Sequence, residues 1–197
     1  MTRGKDGKAQ THERILNNAA VRFREKGIDG IGVADLMKEA GLTVGGFYKH
    51  FGSREDLVAE AVEAMKNGWD PVFADAETRG LGGAPLFDAL VDGYLDVQHR
   101  DSPGAGCLFA AIAGDLGRAG EKPRAAATHK LERMIDRFAR VFEDRRPAAA
   151  RAAAIFAYSA LVGAVSLARA TNDEALSREI LTTVGKALKR LVRPEKT

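Results

Sequence analysis

Residues 33–51 form the part of the sequence that most constrains the fold of this chain. Two short runs with helical spacing of apolar residues, about 33–40 and 44–51, are separated by Gly41. A glycine at this point permits a sharp turn that a Cβ would hinder. Two helices joined in this way are predicted to form a helix-turn-helix, with Thr43 placed to cap the second helix.

The second helix of this pair has two chemically different sides. Phe47 and Phe51 are predicted to enter a core, whereas small, aromatic and basic residues occupy the rest of the surface. A helix with such a surface can enter the DNA major groove with its first residues near base edges. We therefore expect sequence-specific DNA binding.

The positive charge of the chain is concentrated in the same region. Residues 1–54 contain ten Lys/Arg and six Asp/Glu, an excess of four positive charges. Residues 55–197 contain 20 Lys/Arg and 21 Asp/Glu, a net charge of −1. This asymmetry is what phosphate binding requires, although a short solvated basic tail would give a similar excess.

Helical periodicity continues along the rest of the chain, and strand signals are nearly missing, so the fold class is predicted to be all-α. Thr11 is a candidate N-cap for a first helix that ends near Lys26, preceded by a flexible arm. Ser53 and Asp56 resemble a capping box that opens a fourth helix, predicted to continue to about Trp69. Further helices are predicted at about 84–99, 107–116, 123–144, 148–171 and 174–192. We expect a helix-turn-helix domain over residues 1–54 and a larger helical domain over 55–197.

Several other classes of protein are disfavoured by the sequence. Cys107 is the single cysteine, so an intrachain disulfide is impossible and a reducing cytoplasm is expected. No uninterrupted apolar run approaches the roughly 20 residues of a membrane span, and no secretory signal is present. The four histidines lack the spacing of metal ligands, no cofactor is indicated, and no catalytic motif predicts an enzyme.

The last two predicted helices have the composition of an association surface. The first of them is rich in Ala and contains Ser159, Gly163 and Ser166, whose small side chains permit close helix approach. Two such helices at a chain end can complete a four-helix bundle with a second copy. We favour this homodimer over a helical hairpin buried within one monomer.

A family resemblance is carried by residues 11–56 and the position that follows them. Its elements are Phe23, Gly27, Val33, Ala40-Gly41-Leu42, Gly45, Phe47-Tyr48-Lys49-His50-Phe51 and Ser53-Arg54-Glu55-Asp56-Leu57. This pattern resembles the TetR family of bacterial transcriptional regulators. The resemblance implies a homodimeric repressor that binds a palindromic operator in double-stranded DNA. It also implies a small-molecule effector that enters the C-terminal domain, moves the connecting helix and releases the DNA.

The resemblance also assigns candidate DNA contacts. They are Thr11, Val33, Thr43, Val44, Gly45, Gly46, Tyr48, Lys49, His50 and Arg54, with Lys5 and Lys8 of the arm as further candidates. Val44 replaces a frequent Lys or Arg, Gly46 a frequent Thr, Ser or Ala, and Gly32 a frequent capping residue. Base recognition would then depend on thymine methyl contacts and close backbone approach.

Three of these candidates have an alternative without DNA contact, and Lys49 is the kind of residue found on any solvated face. Tyr48 could pack against the first helix instead of contacting phosphate. His50 could form a hydrogen bond within the domain.

Aromatic and apolar residues of the C-terminal domain are candidates for the effector site. They are Phe87, Leu90, Tyr94, Cys107, Phe109, Met134, Phe138, Phe156 and Tyr158. Their chemistry predicts a largely apolar or aromatic effector with one or two polar anchors.

Gly106-Cys107-Leu108 also resembles a sequence through which some TetR-like regulators sense electrophiles. The alternative is an inert, half-buried cysteine. An alternative for the whole chain is a helical small-molecule-binding protein that does not read DNA.

Overall fold

The computed structural model describes residues 3–66 and 69–193, including the side chains of all these residues except 3–6 and 77. Ten α-helices occur within these ranges, and no strand does. The helices are α1 (Arg3–Lys26), α2 (Val33–Glu39), α3 (Arg54–Ala64), α4 (Asp70–Thr78), α5 (Gly83–Tyr94), α6 (Val97–Asp101), α7 (Leu108–Arg118), α8 (Glu121–Ala139), α9 (Pro147–Ala170) and α10 (Glu174–Arg190). Short 3-10 helices cover Val44–Lys49, Pro103–Ala105 and Arg140–Phe142. The predicted all-α fold class is confirmed.

The chain forms two compact units. Within the described residues, the first unit comprises 3–66 and 111–130, and the second comprises 69–110 and 131–193. This division differs from the boundary expected after residue 54, because α3 packs against α1 and residues 111–130 also join the first unit. The division into a helix-turn-helix domain over 1–54 and a helical domain over 55–197 remains a prediction.

The first unit is built around one apolar core. Fully or almost fully buried side chains from α1, α2, α3 and the Val44–Lys49 helix form it, namely Ile15, Phe23, Leu36, Met37, Phe47, Leu57 and Val62. Ser53 caps α3 as predicted, since its Oγ accepts a hydrogen bond from the amide of Asp56 at 3.1 Å. The same hydroxyl donates to the Asp56 carboxylate at 2.8 Å, and a backbone hydrogen bond from Ser53 to this carboxylate closes the capping box.

The start of α1 differs from the prediction. The helix begins at Arg3, within the segment predicted to be a flexible arm, and Thr11 lies inside it. Thr11 Oγ1 donates to the carbonyl of Gly7 at 2.8 Å, four residues earlier. Its role as an N-cap is therefore wrong, because a helical threonine hydroxyl can bond the preceding turn instead of capping.

The second unit has a separate core, which is rich in aromatic residues. Phe87, Phe138, Phe142, Leu90 and Leu161 are fully buried in it. Arg100 at the end of α6 connects to α10 through Glu174 at 2.8 Å and Ser177 at 2.8 Å.

Helix α9 combines a buried face with an exposed apolar one. Its length and a mean hydropathy of 1.6 over an 18-residue window would also satisfy a membrane span. One such helix is weak evidence for a membrane protein, because the core helices of globular proteins have the same property. Ala154, Tyr158, Leu161 and Val165 pack in the core of the second unit, which explains the composition of this helix.

Candidate functional site

The turn between α2 and the Val44–Lys49 helix has the geometry of a Schellman motif. Gly41 has a positive φ of 70°, which favours glycine. Its amide donates to the Lys38 carbonyl at 2.9 Å, and the Leu42 amide donates to the Met37 carbonyl at 2.9 Å. The predicted helix-turn-helix connection is present, and Gly41 performs the role expected of it.

The second helix of the motif is a 3-10 helix rather than the predicted α-helix over 44–51. Its hydrogen bonds join residues three apart, as from Gly46 to Thr43 at 3.0 Å and from His50 to Phe47 at 2.9 Å. Adjacent Gly45 and Gly46 reduce the α-helical preference of this segment. Thr43 occupies the N-cap position, but its side chain makes no cap hydrogen bond, so that part of the prediction is wrong.

The exposed side of this helix presents the candidate DNA-contacting residues. Tyr48 is 76% exposed and Val44 is 49% exposed, and Thr43, Gly45 and Lys49 are exposed as well. Phe47 is buried and holds the helix to the core. The alternative in which Tyr48 packs against α1 is wrong, since most of its ring is open to solvent.

His50 lies at the end of this surface beside other basic groups. Its pKa is lowered by burial first, and then by the neighbouring positive charges of His12, Lys8 and Lys49. Its Nδ1 is buried and has no hydrogen-bond partner. At neutral pH the His50 imidazole is therefore uncharged. Its Nδ1 is available for a hydrogen bond to a group outside the chain.

Arg54 is already bound within the first unit. Its guanidinium donates to the carbonyl of Ile28, to the carbonyl of Ile31 at 3.3 Å and to the carboxylate of Asp29 at 3.3 Å. These contacts fasten the loop between α1 and α2 to the start of α3. Arg54 thus has a structural role in addition to the phosphate contact predicted for it.

Val33 and Gly32 occupy the start of α2. Gly32 is the N-cap and supplies no side-chain hydrogen bond, so this helix has the weak cap that the sequence predicts. Val33, half-buried, is the first helical residue.

The second unit contains a cavity of about 600 Å³. Its wall includes Trp69, Val72, Tyr94, His99 and Gly106. The rings of Trp69 and Tyr94 are stacked, with centroids 4.3 Å apart. This volume and an aromatic wall with a few polar groups are typical of small-molecule sites.

His99 is held in one tautomer beside this cavity. Its Nδ1 donates to the Tyr94 carbonyl at 2.6 Å, and its Nε2 accepts from the amide of Cys107 at 3.0 Å. Burial lowers the pKa of His99, and the nearby Arg169 lowers it further. The neutral ring therefore connects the end of α5 to the start of α7 through two hydrogen bonds.

Comparison with known proteins identifies the family. Residues 15–61 match the family model of bacterial regulatory proteins of the tetR family. An uncharacterized HTH-type transcriptional regulator of Mycobacterium tuberculosis is 31% identical over 82% of this chain and 85% of its own length. The chain belongs to the TetR family. It is therefore a DNA-binding transcriptional regulator, and not an enzyme.

A further curated relative and two solved structures are also similar to this chain. Transcriptional regulator AcuR of Cereibacter sphaeroides is 25% identical over 72% of the chain and 65% of its own length. The reduced form of NemR from Escherichia coli has the same fold, with a TM-score of 0.71, 19% identity and coverage of 95% of this chain and 100% of NemR. A TetR-family regulator of Agrobacterium tumefaciens gives a TM-score of 0.76 at 20% identity, covering 94% of this chain and 98% of that structure.

The residues predicted for the effector site of this TetR-family chain have three different locations. Among them, Tyr94 lines the cavity. Seven others contribute to the core or pack against it, namely Phe87, Leu90, Cys107, Phe109, Met134, Phe138 and Tyr158. Phe156 is 59% exposed on α9 and does not line the cavity, so its effector contact stays a prediction. It falls on the opposite face of the helix from Tyr158.

Sequence reasoning missed Trp69 and His99 as parts of the cavity. Trp69 was predicted only as the end of the fourth helix, and His99 only as one of four scattered histidines. A single tryptophan two positions before Pro71 is the signal that the sequence did offer. His99 could not be found in this way, because its two partners are brought together by the turn at Pro103–Ala105.

Proposed function

We propose that this TetR-family regulator is a cytoplasmic homodimeric repressor that a small effector releases from a palindromic operator. The observation that carries the proposal is the exposed surface of the Val44–Lys49 helix. Tyr48 and Lys49 extend into solvent there, while Phe47 is buried beneath them. Such a helix supplies phosphate contacts from Tyr48, Lys49 and His50, and leaves Thr43 to Gly46 for close approach to base edges.

The DNA contacts that we propose are Thr11, Val33, Thr43, Val44, Gly45, Gly46, Tyr48, Lys49, His50 and Arg54. The small residues at Gly45 and Gly46 allow the backbone to come near the bases. Val44 is placed to contact a thymine methyl group. Arg54 contributes chiefly by fixing the α1–α2 loop through its bonds to Ile28 and Ile31.

We propose that the dimer forms through α9 and α10. Apolar side chains remain exposed on both helices, with Ile155 at 43%, Phe156 at 59%, Leu167 at 62% and Leu176 at 45%. Phe156, Ser159, Gly163 and Leu167 follow one another at helical spacing of three or four residues. Two copies of this face can form a four-helix bundle, which would give the two-fold symmetry of a palindromic operator.

Release of DNA requires that the effector favour a conformation in which the two DNA-binding units no longer match the half-sites. The half-sites of a two-fold operator lie about 34–36 Å apart, so a small movement disturbs both contacts. The ligand must bind this released state more tightly than the DNA-bound state. We propose a largely apolar or electrophilic effector, with Cys107 as the candidate reactive group in the second case.

Helix α7 is the element through which we propose that the effector acts. It begins beside Cys107 in the second unit and ends in the first unit, with a non-helical residue at Ile112. Asp115 near its end accepts a hydrogen bond from the amide of Ile28 at 3.0 Å. A shift of α7 would therefore move the loop that precedes α2.

The first experiment is selection of bound sequences from a random duplex DNA pool at moderate salt. Enrichment of a palindrome is the expected result, and it would provide a probe for effector screening. A folded, dimeric protein that enriches no sequence would contradict the proposal. It would favour the alternative function of a helical small-molecule-binding protein without sequence-specific DNA binding.

A further inference from the structure

Two hydrogen-bond donors on the wall of the cavity have no acceptor. Trp69 and Tyr94 both line the cavity, and each is only 3% exposed. The indole Nε1 of Trp69 and the hydroxyl of Tyr94 are buried without a hydrogen-bond partner. Buried polar groups are nearly always hydrogen-bonded, so two unpaired donors on one cavity wall point to an acceptor supplied from outside the chain.

The Tyr94 hydroxyl is a donor under all ordinary conditions. Burial, followed by the proximity of Cys107 and Tyr158, raises its pKa well above the usual value. The Cys107 thiol contacts the Tyr158 hydroxyl at 3.4 Å, and it makes no hydrogen bond of normal geometry with Tyr94. Because the hydroxyl keeps its proton, it can donate to an acceptor that enters the cavity.

A positive charge without a paired carboxylate lies next to this wall. Arg169 donates from Nε to the carbonyl of Arg100 at 2.8 Å and from Nη2 to the carbonyl of His99 at 2.7 Å. Its Nη1 is buried without a hydrogen-bond partner, and no described carboxylate forms an ion pair with it. Its Nη2 is 3.1 Å from the position that a Cβ on Gly106 would occupy, and Gly106 lines the cavity.

The two acidic residues of the cavity lining lie on its exposed part. Asp92 pairs with Lys189 at 2.5 Å, and Asp96 accepts from the amide of Gln98 at 2.7 Å. Both are exposed, whereas Trp69 and Tyr94 are buried. The buried part of the wall therefore presents donors without acceptors, with Arg169 beside it, whereas the carboxylates of Asp92 and Asp96 lie on the exposed part of the lining.

We propose that the cavity binds a small organic acid whose carboxylate accepts hydrogen bonds from Trp69 Nε1 and the Tyr94 hydroxyl. Arg169 supplies the opposite charge, and the stacked rings of Trp69 and Tyr94 with Val72 contact an apolar body. This inference rests on the proposed effector role of the cavity and names the chemical class of the effector. It favours a carboxylate anion over an uncharged apolar molecule.

The single tryptophan provides a direct measurement, because its fluorescence reports on the cavity wall. The full-length protein would be titrated with butyrate, benzoate and phenylacetate, and with butyramide, benzamide and phenylacetamide as uncharged counterparts. We expect at least one carboxylate to change Trp69 emission saturably. The corresponding amide should bind at least about tenfold more weakly. No response to any carboxylate at millimolar concentration, or equal binding of acid and amide, would overturn the inference.

The variant Tyr94→Phe removes the Tyr94 hydroxyl, an unpaired donor, and keeps the aromatic ring. Carboxylate binding should weaken about tenfold, because a hydrogen bond to a charged group is lost. The melting temperature should not fall, since the hydroxyl has no partner within the protein. Ser166→Ala is the matched control, because its hydroxyl is already bonded to the Ala110 carbonyl and does not line the cavity.

The two tests separate this inference from the proposed function. Unaltered carboxylate binding by Tyr94→Phe would overturn the inference even if the protein enriches an operator. Conversely, specific carboxylate binding without enrichment of any DNA sequence would support the inference and contradict the proposed repressor.

Discussion

The carboxylate of Asp115 accepts a hydrogen bond from the main-chain amide of Ile28, with 3.0 Å between Oδ2 and N, although 87 positions separate them in the sequence. Asp115 belongs to α7, and Ile28 follows Gly27 at the end of α1. Gly27 has a φ of 81°, and a Cβ there would lie 2.8 Å from the same carboxylate oxygen. The loop that leads to α2 is thus held at a position where only glycine fits.

Replacing Asp115 with alanine should destabilise the first unit by about 1–3 kcal/mol, because a buried amide loses its acceptor. Chemical denaturation of the full-length protein measures this change. Arg118→Ala is the control. Arg118 is largely exposed and forms an ion pair with the same Asp115 carboxylate at 2.7 Å, but it does not contact the Ile28 amide. Equal losses in the two variants would show that the surface ion pair, and not the Ile28 amide, is responsible.

Ser53→Ala should lower the free energy of unfolding by about 1 kcal/mol, because it removes the side-chain cap of α3. Thr43→Ala changes an N-cap position whose side chain makes no cap hydrogen bond, so stability should change little. Thr43 is exposed on the proposed DNA surface, and its loss should weaken operator binding instead. Denaturation and DNA titration of both variants distinguish the two roles, and a destabilised Thr43→Ala would contradict the prediction.

The success of the sequence predictions depended on how local the determining interactions are. The capping box at Ser53 and the Gly41 turn depend on neighbouring residues, and both were identified correctly. Helix α4 was not among the predicted helices, although Pro71 is compatible with a helix that begins at Asp70, because proline is tolerated in the first turn. The start of α1 was predicted wrongly because Gly4 and Gly7 favour a flexible arm. The helix nevertheless begins at Arg3, since adding residues to an existing helix is easier than starting one.

The cavity was harder to predict because its wall combines distant positions. Trp69 and Tyr94 come from different elements, and their stacking follows from packing rather than from any local pattern. Phe87 and Phe138 are of the residue type expected in an apolar binding site, but both are fully buried in the core. Residue type alone does not separate core aromatic residues from cavity aromatic residues.

Stability of the second unit should fall as the pH drops below about 6.5, the ordinary pKa of histidine. Burial lowers the pKa of His99 in the folded state, so the unfolded state binds more protons in that range. Protonation of Nε2 would also break its bond with the Cys107 amide. The contribution is fully present above pH 6.5 and is lost at up to about 1.4 kcal/mol per pH unit.

The variant His99→Gln removes this titration while keeping a side chain that can form hydrogen bonds. Its free energy of unfolding should fall less steeply than that of the wild type between neutral pH and pH 5. Asp96 and Arg169 face the same ring and remain unchanged in both proteins. Parallel curves for the two proteins would exclude His99 as the source of the pH dependence.

Phe156→Glu should weaken the proposed dimer, because it places a charge in the exposed apolar face of α9. Loss of a buried phenylalanine corresponds to about 1.5–3 kcal/mol, so the dimer dissociation constant should rise roughly tenfold or more. Analytical ultracentrifugation measures the change. Val21→Glu is the control, since Val21 is 37% exposed on α1 and lies outside the proposed interface. An unchanged dimer in Phe156→Glu would exclude this face of α9.

Lys49→Ala should weaken binding to every DNA sequence by a similar factor, because the proposed contact is to phosphate rather than to a base. The slope of the logarithm of affinity against the logarithm of salt concentration should decrease by about 0.9 for each lost phosphate contact. Arg79→Ala removes the same charge from an exposed position in the second unit and should leave the slope unchanged. Val44→Ala should instead alter the preferred operator sequence with little change in slope, because an apolar contact releases no counterion. A Lys49→Ala variant with the wild-type slope would show that this side chain is merely solvated, and would remove Lys49 from the proposed DNA-binding surface.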